Sequence, residues 1–231
     1  RLRVAGSQGD IVQKTTRVQK TKQSKAPPYK NPKLRPELRV KDLLRRMTLA
    51  EKAAQMVCVW REKSETLVDA DGSFDLGKAK RAFQHGNGVG QVGRPSDAGQ
   101  GKNAREMAVL TNSIQQFFLE NSRLGIPVIF HEECLHGHAA LDGTSFPQPI
   151  ALAGTFNPEL VESLFQMTAE EARSRGTHQA LSPVVDVARD ARWGRVEETY
   201  GEDPYLVSRM GVAAVRGFQG DATFKNKKHV I

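Results

Sequence analysis

The sequence predicts an α/β protein, a parallel (β/α)8 TIM-like barrel of which only the N-terminal part is present. Three observations carry this reading. Strand-like runs start near 126, 178 and 228, at roughly 50-residue intervals that suit βα units with long loops. The first two runs are each followed by a polar, glycine-bearing loop and then a helix-periodic stretch. The run from Ile126 to Phe130 (IPVIF) is continuously apolar, the pattern of a strand covered on both faces. A complete barrel takes about 250 residues or more, and only about four strands are legible here. A doubly wound nucleotide-binding sheet is disfavoured. No GxGxxG follows the first strand, and Gly86 to Gly90 (GNGVG) lacks that order.

In chain order, residues 1–36 are polar, basic and without periodicity. Pro27, Pro28, Pro32 and Pro36 oppose helix there, since proline lacks an amide donor and restricts the residue before it. We expect an extended arm, followed by a barrel portion over 37–231. Leu43, Leu44 and Met47, then Ala53, Ala54, Met56 and Val57, recur at helical spacing, and Thr48 with Glu51 forms a capping-box pattern. Leu76 to Phe83 reads as a helix and Asn87 to Gly93 (NGVGQVG) as a short strand. Asn103 to Glu120 is a helix with Met107, Leu110, Ile114, Phe117 and Phe118 on its apolar face. Asn157 and Asp203 are expected to cap helices that begin with Pro158 and Pro204. Thr177 to Pro183 and His229 to Ile231 are the later strands.

The net charge of +8 is unevenly placed. Residues 1–46 hold 14 Lys/Arg against three acids, so they carry +11 and the rest of the chain −3. The basic segment is read as a solvated arm rather than a nucleic-acid tether. No apolar run reaches the ~18 residues that suggest a membrane span. Cys58 and Cys134 form neither a disulfide framework nor a metal-ligand pattern, and are read as free thiols. Asp69 to Asp75 (DADGSFD) resembles half a calcium loop but lacks the closing glutamate, so it is read as a turn. No metal and no cofactor are expected.

Barrel enzymes place functional groups on loops after the strand carboxyl ends. The first such loop runs from His131 to Pro149 (HEECLHGHAALDGTSFPQP), the second from Val184 to Pro204 (VVDVARDARWGRVEETYGEDP). Glu132 and Glu133 are neighbours, so only one is expected to enter the mouth. A carboxylate there suits a polyhydroxyl ligand, because it accepts from two hydroxyls at once. His131, His136 and His138 do not follow an established metal spacing. In the second loop most charged groups should neutralise one another, while one arginine facing the cavity would add fixed donors. Trp193 is either a stacking platform for a sugar ring or a loop anchor.

These stretches resemble the N-terminal barrel domain of glycoside hydrolase family 3, the β-glucosidases and β-xylosidases. The resemblance rests on LLRRMTLAEKAAQM (43–56), GIPVIFHEECLHGH (125–138), FPQPIALAGTFNPELV (146–161) and SPVVDVARDARWGRVEETYGEDPYLV (182–207). It implies that Glu133, three residues before the HG pair, and Arg195, the second arginine of RWGR, bind the sugar in the cleavage subsite. His136 and Trp193 would belong to the loops shaping that subsite. Glu where the family often has Asp is associated with xylosidase-like members.

The mechanism implied is retaining double displacement, with an aspartate nucleophile and a second carboxylate as acid/base. No catalytic residue is assigned in this chain. The resemblance puts the Lys-His pair, the nucleophile and the acid/base beyond Ile231, the last of these in a C-terminal sandwich domain. The expected partners are an oligosaccharide or β-glycoside substrate and the remainder of the barrel, with no nucleic acid and no membrane. The isolated chain is expected to be inactive and prone to aggregate through unpaired strand edges. A periplasmic or secreted location is favoured over a cytoplasmic one. The N-acetylglucosaminidase branch is disfavoured by the RWGR pattern. The alternative function is a non-catalytic carbohydrate-binding or scaffold relative of the same fold.

Overall fold

A computed structural model describes residues 26–220 and 228–231 of the 231. The expected arm therefore lies mostly outside the described residues. The chain divides into two compact units, residues 1–46 and 47–231. In the first, a 3-10 turn at Pro28–Lys30 precedes helix α1 (Pro36–Arg46), which starts on Pro36. Tyr29 N donates to Asp42 Oδ2 at 3.1 Å, and Arg39 Nε donates to the Tyr29 carbonyl at 3.0 Å. The described end of the proline-rich stretch thus folds against α1, because one buried carboxylate gathers its amide and the Arg46 guanidinium (2.9 Å). The structure groups α1 with the segment before it, whereas the sequence suggested a boundary near residue 36.

The second unit opens with α2 (Leu49–Ala54). Thr48 Oγ1 accepts from Glu51 N, and Glu51 returns the bond to Thr48 N at 2.8 Å, the reciprocal capping box. Helical spacing suggested continuation through Val57. The chain instead leaves the helix at Ala54 and forms β1 (Cys58–Val59), too short for its own periodicity to show. Short helices α3 (Lys63–Thr66) and α4 (Leu76–Ala82) follow, the latter capped by Asp75. Then come β2 (Gln91–Gly93), α5 (Ala104–Asn121), β3 (Ile129–Glu132) and α6 (Pro149–Ala153). Helix α7 (Pro158–Ser174), β4 (Gln179–Ala180) and α8 (Pro204–Gln219) complete the order. Asn157 and Asp203 cap α7 and α8 through their side chains, as expected for Asx residues before a first-turn proline.

The four strands form one parallel sheet in the order β1-β2-β3-β4, with Val59 beside Val92, Val92 beside Phe130, and His131 beside Gln179. Beyond β4, Ile231 N donates to the His178 carbonyl (3.0 Å) and the Ile231 carbonyl accepts from Ala180 N (2.7 Å). The expected strand at 229–231 is thus seen as one further rung of the ladder. Sequential strands lying side by side with helices between them are the start of a (β/α) barrel.

Two apolar clusters hold the layers together. One packs Val92, Val128 and Phe130 under Leu110, Ile114, Phe117 and Phe118 of α5. The Phe83–Phe118 and Phe117–Phe118 rings meet edge-on at 4.8 and 5.1 Å between centroids. The other joins α6, α7 and α8 around Phe165 and Phe218, whose ring centroids are 4.8 Å apart. The IPVIF run is not covered on both faces: Val128 and Phe130 are buried while Ile129 is 38% exposed. Neighbours on a strand point to opposite faces, and the helix layer covers one of them.

Candidate functional site

The carboxyl ends of β2, β3 and β4 carry the polar loops. Gly93 ends β2 opposite His131, and its missing side chain is what admits the His131 ring. A Cβ there would lie 2.6 Å from His131 Nε2 and 3.2 Å from the Trp60 Cβ. His131 is buried, and Nδ1 lies 3.0 Å from Gln91 Oε1. Burial, together with the nearby Lys63 cation and against the Glu132 charge, pushes its pKa down and favours the neutral ring.

Glu132 and Glu133 have different surroundings. Glu132 is fully buried, accepting from Ser96 N at 2.8 Å and from Ser96 Oγ at 2.6 Å, with His138 Nε2 3.7 Å from Oε2. It therefore ties the loop after β2 to the end of β3. Glu133 is half-buried, and its charge is felt by groups from three strand ends. Burial raises its pKa most; the Arg94 guanidinium opposes that, Glu132 and Glu198 add to it, and Arg195 opposes it.

Arg195 follows β4. Its guanidinium makes a bidentate pair with Glu198, Nε at 3.0 Å from both oxygens and Nη2 at 2.5 Å from Oε2. The same loop holds the pair Arg192–Asp190 (Nη2 to Oδ2, 2.6 Å), so the expected mutual neutralisation is present. Arg195 keeps 59% of its side chain exposed and lies within electrostatic reach of Glu133. His136 is turned into its own loop: Nδ1 lies 3.1 Å from the Phe146 carbonyl, and its own carbonyl accepts from Phe146 N. Trp193 is 38% exposed on a turn closed by its amide to the Asp190 carbonyl, so it is not a buried anchor.

Arg94 was not singled out by the sequence. It follows β2 directly, donates its amide to the His131 carbonyl at 2.8 Å, and adopts a left-handed backbone (φ 46°, ψ 61°). That conformation costs an ordinary residue about 1 kcal/mol or more, and the following Pro95 makes a helical conformation less welcome still. The only signal available was an arginine at a strand's carboxyl end. Asp69, in the half calcium loop, accepts from Asp71 N and Ser73 N and so closes its own turn. Cys58 and Cys134 are free, the latter buried with its thiol pKa pushed up by burial.

A parallel βα array with its polar side chains gathered at the strand carboxyl ends defines a (β/α)-barrel enzyme domain. Residues 48–231 match the N-terminal domain of glycosyl hydrolase family 3, and the chain belongs to that family. A β-xylosidase of Formosa agariphila is 51% identical over 118 residues, spanning 48% of this chain and 16% of the relative. A periplasmic β-glucosidase/β-xylosidase of Dickeya chrysanthemi is 32% identical over 212 residues, covering 88% of this chain and 32% of the relative. The solved structure of a β-glucosidase from Erythrobacter marinus superposes with a TM-score of 0.76 at 36% identity, over 89% of this chain and 26% of that one. The chain thus spans a third or less of the relatives it matches. No helix among the described residues is long and apolar enough to cross a membrane.

Proposed function

We propose that this chain is the N-terminal portion of a retaining β-glycosidase that hydrolyses terminal β-D-glucosyl or β-D-xylosyl residues of oligosaccharides. In this reading Glu133 and Arg195 hold hydroxyls of the sugar in the cleavage subsite, with Trp193 and the His136 loop at its rim. The observation that carries it is the half-buried Glu133 carboxylate at the end of β3, within electrostatic reach of guanidinium groups that follow β2 and β4. An ionised carboxylate accepts from two vicinal hydroxyls, and arginine supplies fixed donors to their oxygens. Arg195 uses Nε and Nη2 for Glu198 and has Nη1 left for a ligand.

Double displacement needs a nucleophile and an acid/base set about 5–5.5 Å apart. Both are assigned to parts of the protein outside this chain, the acid/base to a C-terminal sandwich domain. The chain's role is to grip the sugar, and the rest of the barrel is its partner. No nucleic-acid partner is proposed, and a periplasmic or secreted setting is supported by the periplasmic Dickeya relative. The test is a comparison of aryl β-xyloside and β-glucoside turnover by the complete protein and by the isolated chain. Turnover by the complete protein alone is expected; turnover by the isolated chain that Glu133→Ala abolishes would overturn the division of labour.

A further inference from the structure

We propose that Arg94 is a further sugar-binding residue, whose guanidinium orients the Glu133 carboxylate and donates a hydrogen bond to the same vicinal diol that Glu133 holds. This rests on the reading that Glu133 grips a sugar, and extends it to a residue outside both loops first implicated. Four features of the structure support it.

The first is place. Arg94 directly follows β2, and its amide bond to the His131 carbonyl extends the β2–β3 ladder toward Glu133. The second is backbone strain, since the left-handed conformation at a non-glycine residue before proline is unfavourable and persists only where surroundings enforce it. The third is the enforcing latch. Ser96, two residues on, is clamped by both oxygens of the fully buried Glu132, so β3 itself holds this turn in place.

The fourth is an unmet donor. Arg94 Nε is buried and has no hydrogen-bond partner among the described residues. The nearest carboxylate oxygen paired with it, Asp97 Oδ2, is 3.7 Å away, too far for a hydrogen bond. Asp97 is already engaged by Lys63 Nζ at 2.9 Å and by Trp60 Nε1 at 3.3 Å, which draws it away from Arg94. A buried donor left unpaired is costly, so the guanidinium is not locked into the protein's own hydrogen bonds at this atom, and 28% of the side chain stays open to a ligand. A hydroxyl that donates to Glu133 still offers its oxygen lone pairs, and these suit Arg94. The ligand class is a neutral ring with adjacent hydroxyls.

The charged groups whose fields reach Glu133 are Arg94 from the end of β2, Glu132 from β3, and Arg195 and Glu198 from the loop after β4. Removing Arg94 leaves the acidic neighbours opposed by Arg195 alone.

The experiment uses the complete glycosidase carrying this chain, with D-xylose and D-glucose as competitive inhibitors, measured from pH 4 to 8. The variants are Arg94→Gly, Arg94→Lys and Glu133→Gln. Arg94→Gly removes the guanidinium while relieving the left-handed strain. It should leave the thermal midpoint unchanged or higher, raise the inhibition constant of the preferred sugar about tenfold, and move the acid-side loss of binding to higher pH. Arg94→Lys keeps the charge but not the planar fork, so it should restore the pH profile and only part of the affinity. If Glu133→Gln weakens the sugar and Arg94→Gly does not, the inference is overturned while the sugar reading stands. If Glu133→Gln has no effect on either sugar, the sugar reading falls and the inference with it. A lowered thermal midpoint with unchanged inhibition in Arg94→Gly makes Arg94 a structural residue and overturns the inference.

Discussion

Glu132 and Glu133 are adjacent carboxylates that the backbone sends into unlike settings. One is sealed and satisfied by Ser96, the other is half-buried among charges from three strand ends. The sequence indicated that the two would differ; which partners each would meet depends on Ser96 and Arg94, 36 and 39 residues earlier. Because burial raises the Glu133 pKa, the group holds a proton to higher pH than an exposed glutamate. Sugar affinity that depends on the carboxylate should therefore be weak in acid and rise as pH climbs through that raised pKa. Glu133→Gln should remove this rise, checked by inhibition constants against pH. Glu51 behaves oppositely. It is buried, closes the Thr48 cap and accepts a bidentate pair from Arg123 (2.7 and 2.5 Å), which lowers its pKa from 4.5 to about 2. A depressed carboxylate pKa stabilises the fold at pH above the unfolded value, and the contribution drains away as pH falls toward the folded one. Stability should thus decline between about pH 4.5 and 2, and Glu51→Gln should flatten that decline in acid-denaturation curves.

At the scale of elements, long helices were legible nearly to their ends, while short strands were legible in place but not in length, and one was missed. Helices α5, α7 and α8 bury regular apolar stripes and carry side-chain caps, so period and cap agree. Strand β1 has two residues and leaves no period to read, while β4, also of two residues, fell inside the expected strand Thr177 to Pro183. Helix α6 was missed because its five residues lie in a proline- and glycine-bordered stretch. The α7–α8 contact depends on a residue with no side chain. A Cβ on Gly217 would lie 2.4 Å from the Glu162 carbonyl oxygen and 2.8 Å from the Phe165 Cβ. Gly217→Ala must therefore push the two helices apart. Its improved helix propensity, about 1 kcal/mol, should be outweighed by overpacking of about 1–3 kcal/mol. The expected outcome is a lower urea midpoint with little change in slope.

For the whole molecule, barrel class was legible because strand-loop-helix spacing repeats, and the family because its two mouth loops are long and unusual. Arg94 was not legible, since an unmet buried donor and a left-handed backbone exist only in three dimensions. Helix α8 also shows what the second unit leaves open. Val185, Val187, Val207, Val212 and Val215 line a groove of about 590 Å³, with Val212 45% and Val215 39% exposed. An uncovered apolar face of this kind favours association. The isolated chain should self-associate at micromolar concentration, and Val212→Glu with Val215→Glu should reduce this in sedimentation velocity without lowering the thermal midpoint. The central claim, that this chain supplies the grip on the sugar and not the bond-breaking groups, is tested most directly by kcat/KM for aryl β-xylosides and β-glucosides. In the complete protein, Glu133→Ala should lower it at least about a hundredfold, a loss of roughly 2.7 kcal/mol of transition-state binding, and the isolated chain should give none. Unchanged kcat/KM in Glu133→Ala, or turnover by the isolated chain, would contradict the account.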